Sequence, residues 1–229
     1  GAITLSSLTG LVFTAGDGVG DATMTFTGAI ADINTALDGL SYTPDANYNG
    51  SDSLQIVTSD LGATGAGGIL TDTDTVAITI IGVDDAPVNT VPSSPQTINE
   101  DTALVFTGSN AIFVSDVDST TLTVTLAGGD GVLTLSGTTG LAFTVGDGSG
   151  DSTMTFSGTT ADINAALNGL SYQPNLNYNG SDTLSITTVD STTLSATDTV
   201  AITINPVNDA PVNTVPGAQA ISEDATLIL

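Results

Sequence analysis

The chain has no lysine, no arginine, no histidine, no cysteine and no tryptophan among its 229 residues. Against 25 acids this leaves a formal net charge of −25. No side chain can form a salt bridge with a carboxylate, so the charge must be diluted by water and salt or neutralised by bound cations. Phosphate contact needs cationic side chains, which excludes nucleic acid as a partner. Without Cys, His or Lys the common nucleophiles, bases and Schiff-base chemistry are missing, and without Arg there is no phosphate clamp. Thiolate and imidazole ligands for zinc or copper are absent too, whereas Asp, Asn and carbonyl oxygens suit calcium. No disulfide framework can form. No apolar run approaches transmembrane length, so helical membrane insertion is not expected. The chain begins at Gly1 without a signal peptide, which reads as an internal piece of a longer protein.

So acidic a chain is often disordered. Here 40% of residues are hydrophobic, and they alternate with Thr and Ser. Ala103–Phe106, Leu122–Leu126, Val132–Leu135, Met154–Phe156, Leu184–Thr187 and Val200–Ile204 all show this period of two, the mark of strands with one buried face. Gly, Asp, Asn and Ser punctuate them. A tandem all-β architecture of sandwich domains follows. One segment departs from it. Thr160–Gly169 places Ile163, Ala166 and Leu167 on one face, with Thr159 or Thr160 as cap and Gly169 as stop. A short helix is expected there and at its twin, Ala31–Gly39.

Self-comparison shows why twins exist. Gly10–Asp60 align with Gly140–Asp190 at a shift of 130, and beyond Asp60 the shift falls to 124. The first copy thus carries six extra residues in the Gly-rich loop Leu61–Thr73. A repeat of 124 residues is an ordinary domain size. In this register residues 1–84 read as a partial repeat lacking its N-terminal strands. Residues 85–208 read as one complete repeat, and 209–229 as the first strand of a third. The linker Val83-Asp84-Asp85-Ala86-Pro87-Val88-Asn89-Thr90-Val91-Pro92 returns as Val207-Asn208-Asp209-Ala210-Pro211-Val212-Asn213-Thr214-Val215-Pro216. Each copy is followed by an acidic pair, Glu100-Asp101 and Glu223-Asp224, which contain the only two Glu in the chain.

Smaller signals have ordinary readings. Tyr42, Tyr48, Tyr172 and Tyr178 sit at matching positions in the two copies, and Tyr48 reads as a packing residue at a sandwich corner. Asn49-Gly50 and Asn179-Gly180 read as tight turns, although each also begins a glycosylation acceptor pattern. Gly-Asp-Gly-Ser-Gly-Asp at 146–151, repeated with Val for Ser at 16–21, fits no standard calcium loop and reads as a hairpin turn.

The Asn-Asp-Ala-Pro linker, the Glu-Asp that follows it, Ser115-Asp116-Val117-Asp118, and Tyr172-Gln-Pro-Asn-Leu-Asn-Tyr-Asn-Gly-Ser-Asp-Thr-Leu184 together resemble bacterial cadherin-like tandem repeats. These occur in very large secreted surface adhesins, often exported by type I systems. The resemblance covers essentially the whole chain. It implies extracellular β-sandwiches joined end to end, with calcium stiffening the joints. Carried over, Asp116 and Asp118 match the Asp-x-Asp ligand pair, and Asp84, Asp85, Asn208 and Asp209 match the linker ligands. Glu100, with Asp101 beside it, resembles the acid near a domain's first strand, and Asp60 and Asp190 are looser matches. If cadherin geometry holds, Asp84, Asp85, Asp116 and Asp118 meet at one joint with Asp60. Glu100, Asp101, Asp190, Asn208 and Asp209 meet at the next. The linker is shorter than that of animal cadherins, which implies fewer ions per joint.

The expected role is that of a non-enzymatic, calcium-binding stalk at the bacterial cell surface, whose partners are neighbouring repeats. One rival is a self-polymerising filament subunit whose terminal strand completes the partial domain of the next chain. A second is a module for a carbohydrate or cell-surface ligand, which needs a concave site lined by Tyr and Asp. A hydrolase ranks behind both and needs two acids facing into a cleft.

Overall fold

The structure is a computed structural model, and it describes residues 1–62 and 67–228. Its contacts divide it into two units, Gly1–Asp84 and Asp85–Leu229. In the first, the strands are β1 (Ala2–Thr4), β2 (Val12–Ala15), β3 (Thr25–Thr27), β4 (Ser41–Thr43), β5 (Gly50–Ser59) and β6 (Thr71–Ile80). Helix α1 spans Ile30–Leu37. The second unit begins with β7 (Val88–Thr90), β8 (Gln96–Asn99), β9 (Leu104–Phe106), a 3-10 turn at Gly108–Asn110 and β10 (Phe113–Ser115). It continues through β11 (Thr121–Ala127), β12 (Gly131–Thr134), β13 (Ala142–Val145), β14 (Ser149–Asp151) and β15 (Thr153–Thr159). Helix α2 (Thr160–Leu167), β16 (Leu170–Pro174), β17 (Gly180–Val189) and β18 (Ser195–Asn205) complete it.

The second unit is a two-sheet sandwich. One sheet has the order β13-β15-β11-β17-β18-β8 and the other β14-β12-β16-β9, with β7 and β10 paired separately. All pairings are antiparallel except β8 on β18. The alternation read from the sequence is the alternation of burial. Leu122, Val124 and Leu126 of β11 are buried, as are Leu184 and Ile186 of β17 and Val200, Ile202 and Ile204 of β18. Phe106, Leu133, Phe156 and Tyr172 pack with them into one core. The intervening Thr and Ser face outward, and Thr125–Thr155 and Thr187–Thr197 pair through their hydroxyls at 3.0 and 2.9 Å. The outward rows of β11, β15, β17 and β18 carry no acid. In a chain without cationic side chains, facing carboxylates there would only repel.

Helix α2 carries the chain from one sheet to the other, and Ile163, Ala166 and Leu167 are its buried residues. Thr159, not Thr160, is the cap, accepting from the Asp162 N–H. Asn164 pins the helix to β10 by bonding both the N–H and the carbonyl of Val114, at 2.8 and 2.9 Å. At the equivalent of the cap, α1 has Ala29 and no side-chain bond. Thr159→Ala is therefore expected to destabilise the second unit by about 1 kcal/mol, read by denaturant titration.

The Gly-Asp-Gly corner differs from the expected hairpin turn. Strand β13 before it lies in the six-stranded sheet, and β14 after it lies in the other. The loop is thus a sheet-crossing corner. Asp151 organises it by accepting from the Asp147 and Gly148 N–H groups, at 2.9 and 2.8 Å, and Asp21 does the same in the first unit.

The first unit repeats these elements with fewer pairings. Its sheets are the pairs β1-β4, β2-β3 and β5-β6. In the second unit β11 lies between β15 and β17, whereas among the described residues their counterparts β3 and β5 pair with β2 and β6 alone. Leu54, Ile56, Ile78 and Ile80 are accordingly half-exposed where Leu184, Ile186, Ile202 and Ile204 are buried.

Candidate metal centres at the ends of the sandwich

Antiparallel pairing decides which acids can meet. Strand β17 runs from Gly180, opposite Ile204, to Val189, opposite Ser195 and Thr123. Its ten residues span roughly 30 Å. The two ends of the second unit therefore carry separate sets of acids.

At the end where β11 starts, the segment Asp116–Ser119 is a tight turn. One Asp116 oxygen, Oδ1, accepts from the N–H groups of Asp118 and Ser119 at 2.8 and 2.6 Å. Asp118 accepts from the Asp85 N–H at 2.9 Å, which ties the linker to this turn. Asp190 follows Val189, and Val189 pairs with Thr123, so Asp190 lies at the same end. Its Oδ1 accepts from the Thr192 and Leu194 N–H groups at 2.8 and 2.9 Å. Burial by itself would raise the Asp190 pKa, but these bonds together outweigh it and hold the carboxyl below the usual carboxylate range. The other oxygens of Asp116 and Asp190 are both buried without a hydrogen-bond partner. Asn89 knits this end together: it bonds the Ala196 carbonyl at 3.2 Å, accepts from the Thr188 hydroxyl at 2.5 Å, and pairs opposite Val114.

Glu100 and Asp101 sit at the opposite end. Glu100 is 5% exposed. Its N–H donates to the Asn205 carbonyl at 2.9 Å, one carboxylate oxygen accepts from the Val207 N–H, and the other accepts from Asn179 at 3.4 Å. Asp101 accepts from the Asn177 N–H at 3.1 Å. Glu100 thus grips the outgoing linker, and Asp101 the loop between β16 and β17; Asn208 and Asp209, further along the linker, are exposed.

Two expected groupings are thereby corrected. Asp190 does not join Glu100 and Asp101, because the length of β17 separates them. In the first unit Asp60 lies at the tip of the β5–β6 hairpin, beyond the Ser59–Thr71 pair, while Asp84 follows Ile80 at its open end. Asp60 and Asp84 are thus also a strand length apart. Asp60 accepts from Gly62 and Leu70 N–H groups at 2.8 and 2.9 Å, which hold its pKa down. Among the described residues no three acidic side chains are grouped closely enough to hold a metal ion by themselves.

Sequence reasoning passed over a third acid, Asp182. It is 9% exposed and accepts from the Tyr172 hydroxyl, from the Asp130 N–H at 2.9 Å and from its neighbour Thr183 at 2.7 Å. Tyr172 stands on one sheet and Asp182 on the other, so the bond crosses the sandwich. Tyr42 and Asp52 repeat it in the first unit. The matching Tyr and Asp positions in the two copies were the available signal. Tyr48, expected to pack at a corner, is instead 43% exposed, whereas its counterpart Tyr178 packs against the more complete core of the second unit.

No known protein family matches the sequence, and no curated protein matches it. Solved structures do. The extracellular cadherin domains 1–5 of protocadherin gamma B2 match 90% of this chain at 17% identity and a TM-score of 0.36. The protocadherin gamma B4 extracellular domain matches 91% at 20% identity and a TM-score of 0.31. Domains 4 and 5 of the S-layer protein SbsC match 88% at 13% identity and a TM-score of 0.25. The match spans 33% and 26% of the two protocadherin chains and 99% of the S-layer fragment. The fold of this chain is all-β, with one short helix in each unit. No helix among the described residues is long and apolar enough to cross a membrane.

Proposed function

We propose that this chain is a stretch of calcium-binding tandem β-sandwich repeats in an extracellular stalk of a bacterial surface adhesin. The observation that carries this is the pair of buried, unpartnered carboxylate oxygens on Asp116 and Asp190, at the end of the sandwich where the incoming linker is tied down. A buried carboxylate oxygen without a donor is costly, and this chain has no cationic side chain to supply one. A cation from solution is the remaining source of charge. Calcium takes about six to eight oxygens, and Asp85, Asp116, Asp118 and Asp190 with nearby carbonyls and water are the donors at this end. Bound there, calcium supplies positive charge that links the turn, the linker and the β17–β18 hairpin.

Asp84 and Asp60 in the first unit, and Asn208 and Asp209 on the outgoing linker, are proposed ligands of further ions. Asp60 is the counterpart of Asp190 and so serves the end of the first unit away from Asp84. Glu100 grips the outgoing linker and Asp101 the β16–β17 loop through protein donors, and any ion there shares their oxygens with those bonds. Neighbouring repeats are the proposed partners. The role is reach and stiffness rather than chemistry.

The test is calcium titration by calorimetry on the intact chain and on Asp190→Asn and Asp116→Asn. Each substitution keeps shape and removes one charge. The expected result is saturable uptake, weakened roughly tenfold or more by either change. No uptake by the parent chain, or uptake that both variants leave unaltered, sinks the proposal.

A further inference from the structure

Most sheet edges of the second unit are short. The six-stranded sheet ends at β13 and β8, of four residues each, and the four-stranded sheet at β14 and β9, of three each. The pairings of β13 with β15 and of β14 with β12 also shift register part-way. Short or irregular edges offer little to an added strand. Strand β18 is different. It has eleven residues, and β8 pairs only with Ile202–Asn205. Among the described residues Ser195–Ala201 pairs with β17 alone, and the Asn89 amide takes the Ala196 carbonyl. A sandwich that is otherwise closed thus has one long run of unpaired edge.

Asp198 stands in the middle of that run. Thr197 beside it faces outward, where its hydroxyl pairs with that of Thr187 at 2.9 Å. Val200, Ile202 and Ile204 continue the other row and are buried. Asp198 belongs to that inner row, opposite Ile186, which is fully buried. Asp198 itself is half-buried. The row calls for an apolar residue at 198, and the exception falls where the strand has an open flank. The first copy repeats it: Asp74 lies on β6 opposite Ile56, at the position equivalent to Asp198.

We propose that Asp198 is an edge guard, a carboxylate on the inner side of β18 that keeps a second copy of the repeat from adding a strand there. Inward-pointing charge is one way in which natural sheets blunt an edge. The half-buried carboxylate keeps its hydration through the open flank. An added strand would close the flank and strand the charge among apolar neighbours, which is costly without a partner. The incoming copy has no Lys, Arg or His to answer it. Geometry sharpens the effect. Ser195–Ala201 is centred on Asp198, so two copies pairing antiparallel along the whole run set their Asp198 residues directly opposite one another. Side chains so placed stand about 4.5–5.5 Å apart, and like charges there repel. Two-fold pairing is the commonest way for identical chains to associate, and it is the arrangement this residue opposes most. In a tandem array identical repeats are held at high local concentration, and misassembly is the characteristic failure of repeat proteins. The guard uses no proposed calcium ligand and stands whether or not calcium binds.

Sedimentation velocity on the intact chain and on Asp198→Val tests it, over a range of concentrations in about 0.15 M salt, where exposed charges are screened beyond about 8 Å. Val continues the buried row, and circular dichroism checks that the fold holds. The variant is expected to self-associate roughly tenfold or more tightly than the parent. In the associated form the amides of Ser195–Ala201 should gain protection from hydrogen exchange. Asp198→Glu keeps the charge and should sediment as the parent does. Thr199→Val adds the same apolar group to the outer side of the same strand, and it should also sediment as the parent does. If Val disturbs the fold, Asp198→Asn removes the charge alone and is expected to associate in its place. The inference is overturned if both uncharged variants sediment as the parent does, if Thr199→Val associates as strongly as they do, or if association leaves the 195–201 amides unprotected.

Discussion

Calcium at about a hundred times its dissociation constant is expected to raise the unfolding temperature of the second unit by roughly 10 °C. A ligand that binds only the folded state stabilises it by about 2.7 kcal/mol at that excess for one site, a large part of the 5–15 kcal/mol that holds a typical domain. Extracellular modules bind calcium at roughly 0.1–1 mM, so that excess is about 10–100 mM, the shift shrinks at lower calcium, and it should vanish with chelator. Scanning calorimetry with and without chelator reads it, and Asp190→Asn should erase most of the shift. The pH dependence has a definite sign. The Asp190 carboxyl is held below its ordinary value in the folded state. The stability it contributes is present above the ordinary Asp range of about 3.9 and is lost as pH falls through the lowered folded value. Calcium stabilisation should fade over that same acid window, since a protonated carboxyl is no ligand. A melting temperature indifferent to chelator would leave the two buried oxygens without their proposed cation.

Asp182→Ala is expected to cost the second unit about 3 kcal/mol. The change strands the Tyr172 hydroxyl inside the core, where Tyr172 is fully buried, and it also removes the acceptor of the Asp130 N–H. Chemical denaturation of the variant measures the loss, and Tyr172→Phe should share part of it. Tyr172 also fixes the alkaline limit. Burial, and then the bond to Asp182, push its pKa well up, and in the first unit the bond to Asp52 pushes Tyr42 up to about 12. A tyrosine raised in the folded state contributes stability that is complete below its unfolded value, about 10. That stability disappears as pH rises through the folded value. Unfolding should therefore set in above about pH 10, and Tyr172→Phe should flatten that dependence in the second unit.

Most strands were legible because their chemistry is local. Leu122–Leu126 and Val200–Ile204 alternate with Thr, and a one-residue slip would bury the hydroxyls, so pattern and burial agree. The helix at 160–167 was legible from its changed period. The Gly-Asp-Gly corner was misread because a hairpin and a sheet crossing need the same turn residues. What differs is which strand pairs with β13 and which with β14, and those partners lie elsewhere in the chain. The misgrouped acids have a similar cause. Asp60 and Asp84 are close in sequence, and so are Asp190 and Asn208, but an antiparallel hairpin sends its tip to one end and its strand termini to the other.

The sequence by itself determined the all-β class, the repeat, the absence of any cationic side chain to answer 25 acids, and the acids worth watching. These rest on composition, period and self-similarity, which need no knowledge of what touches what. Only the tertiary structure decided which acids share an end. It tied Asp85 to Asp118, set Asp190 at the end of Asp116, buried one oxygen of each without a partner, and gave Glu100 to the outgoing linker. Strand direction and register set these neighbours, and both arise from pairings between residues far apart along the chain.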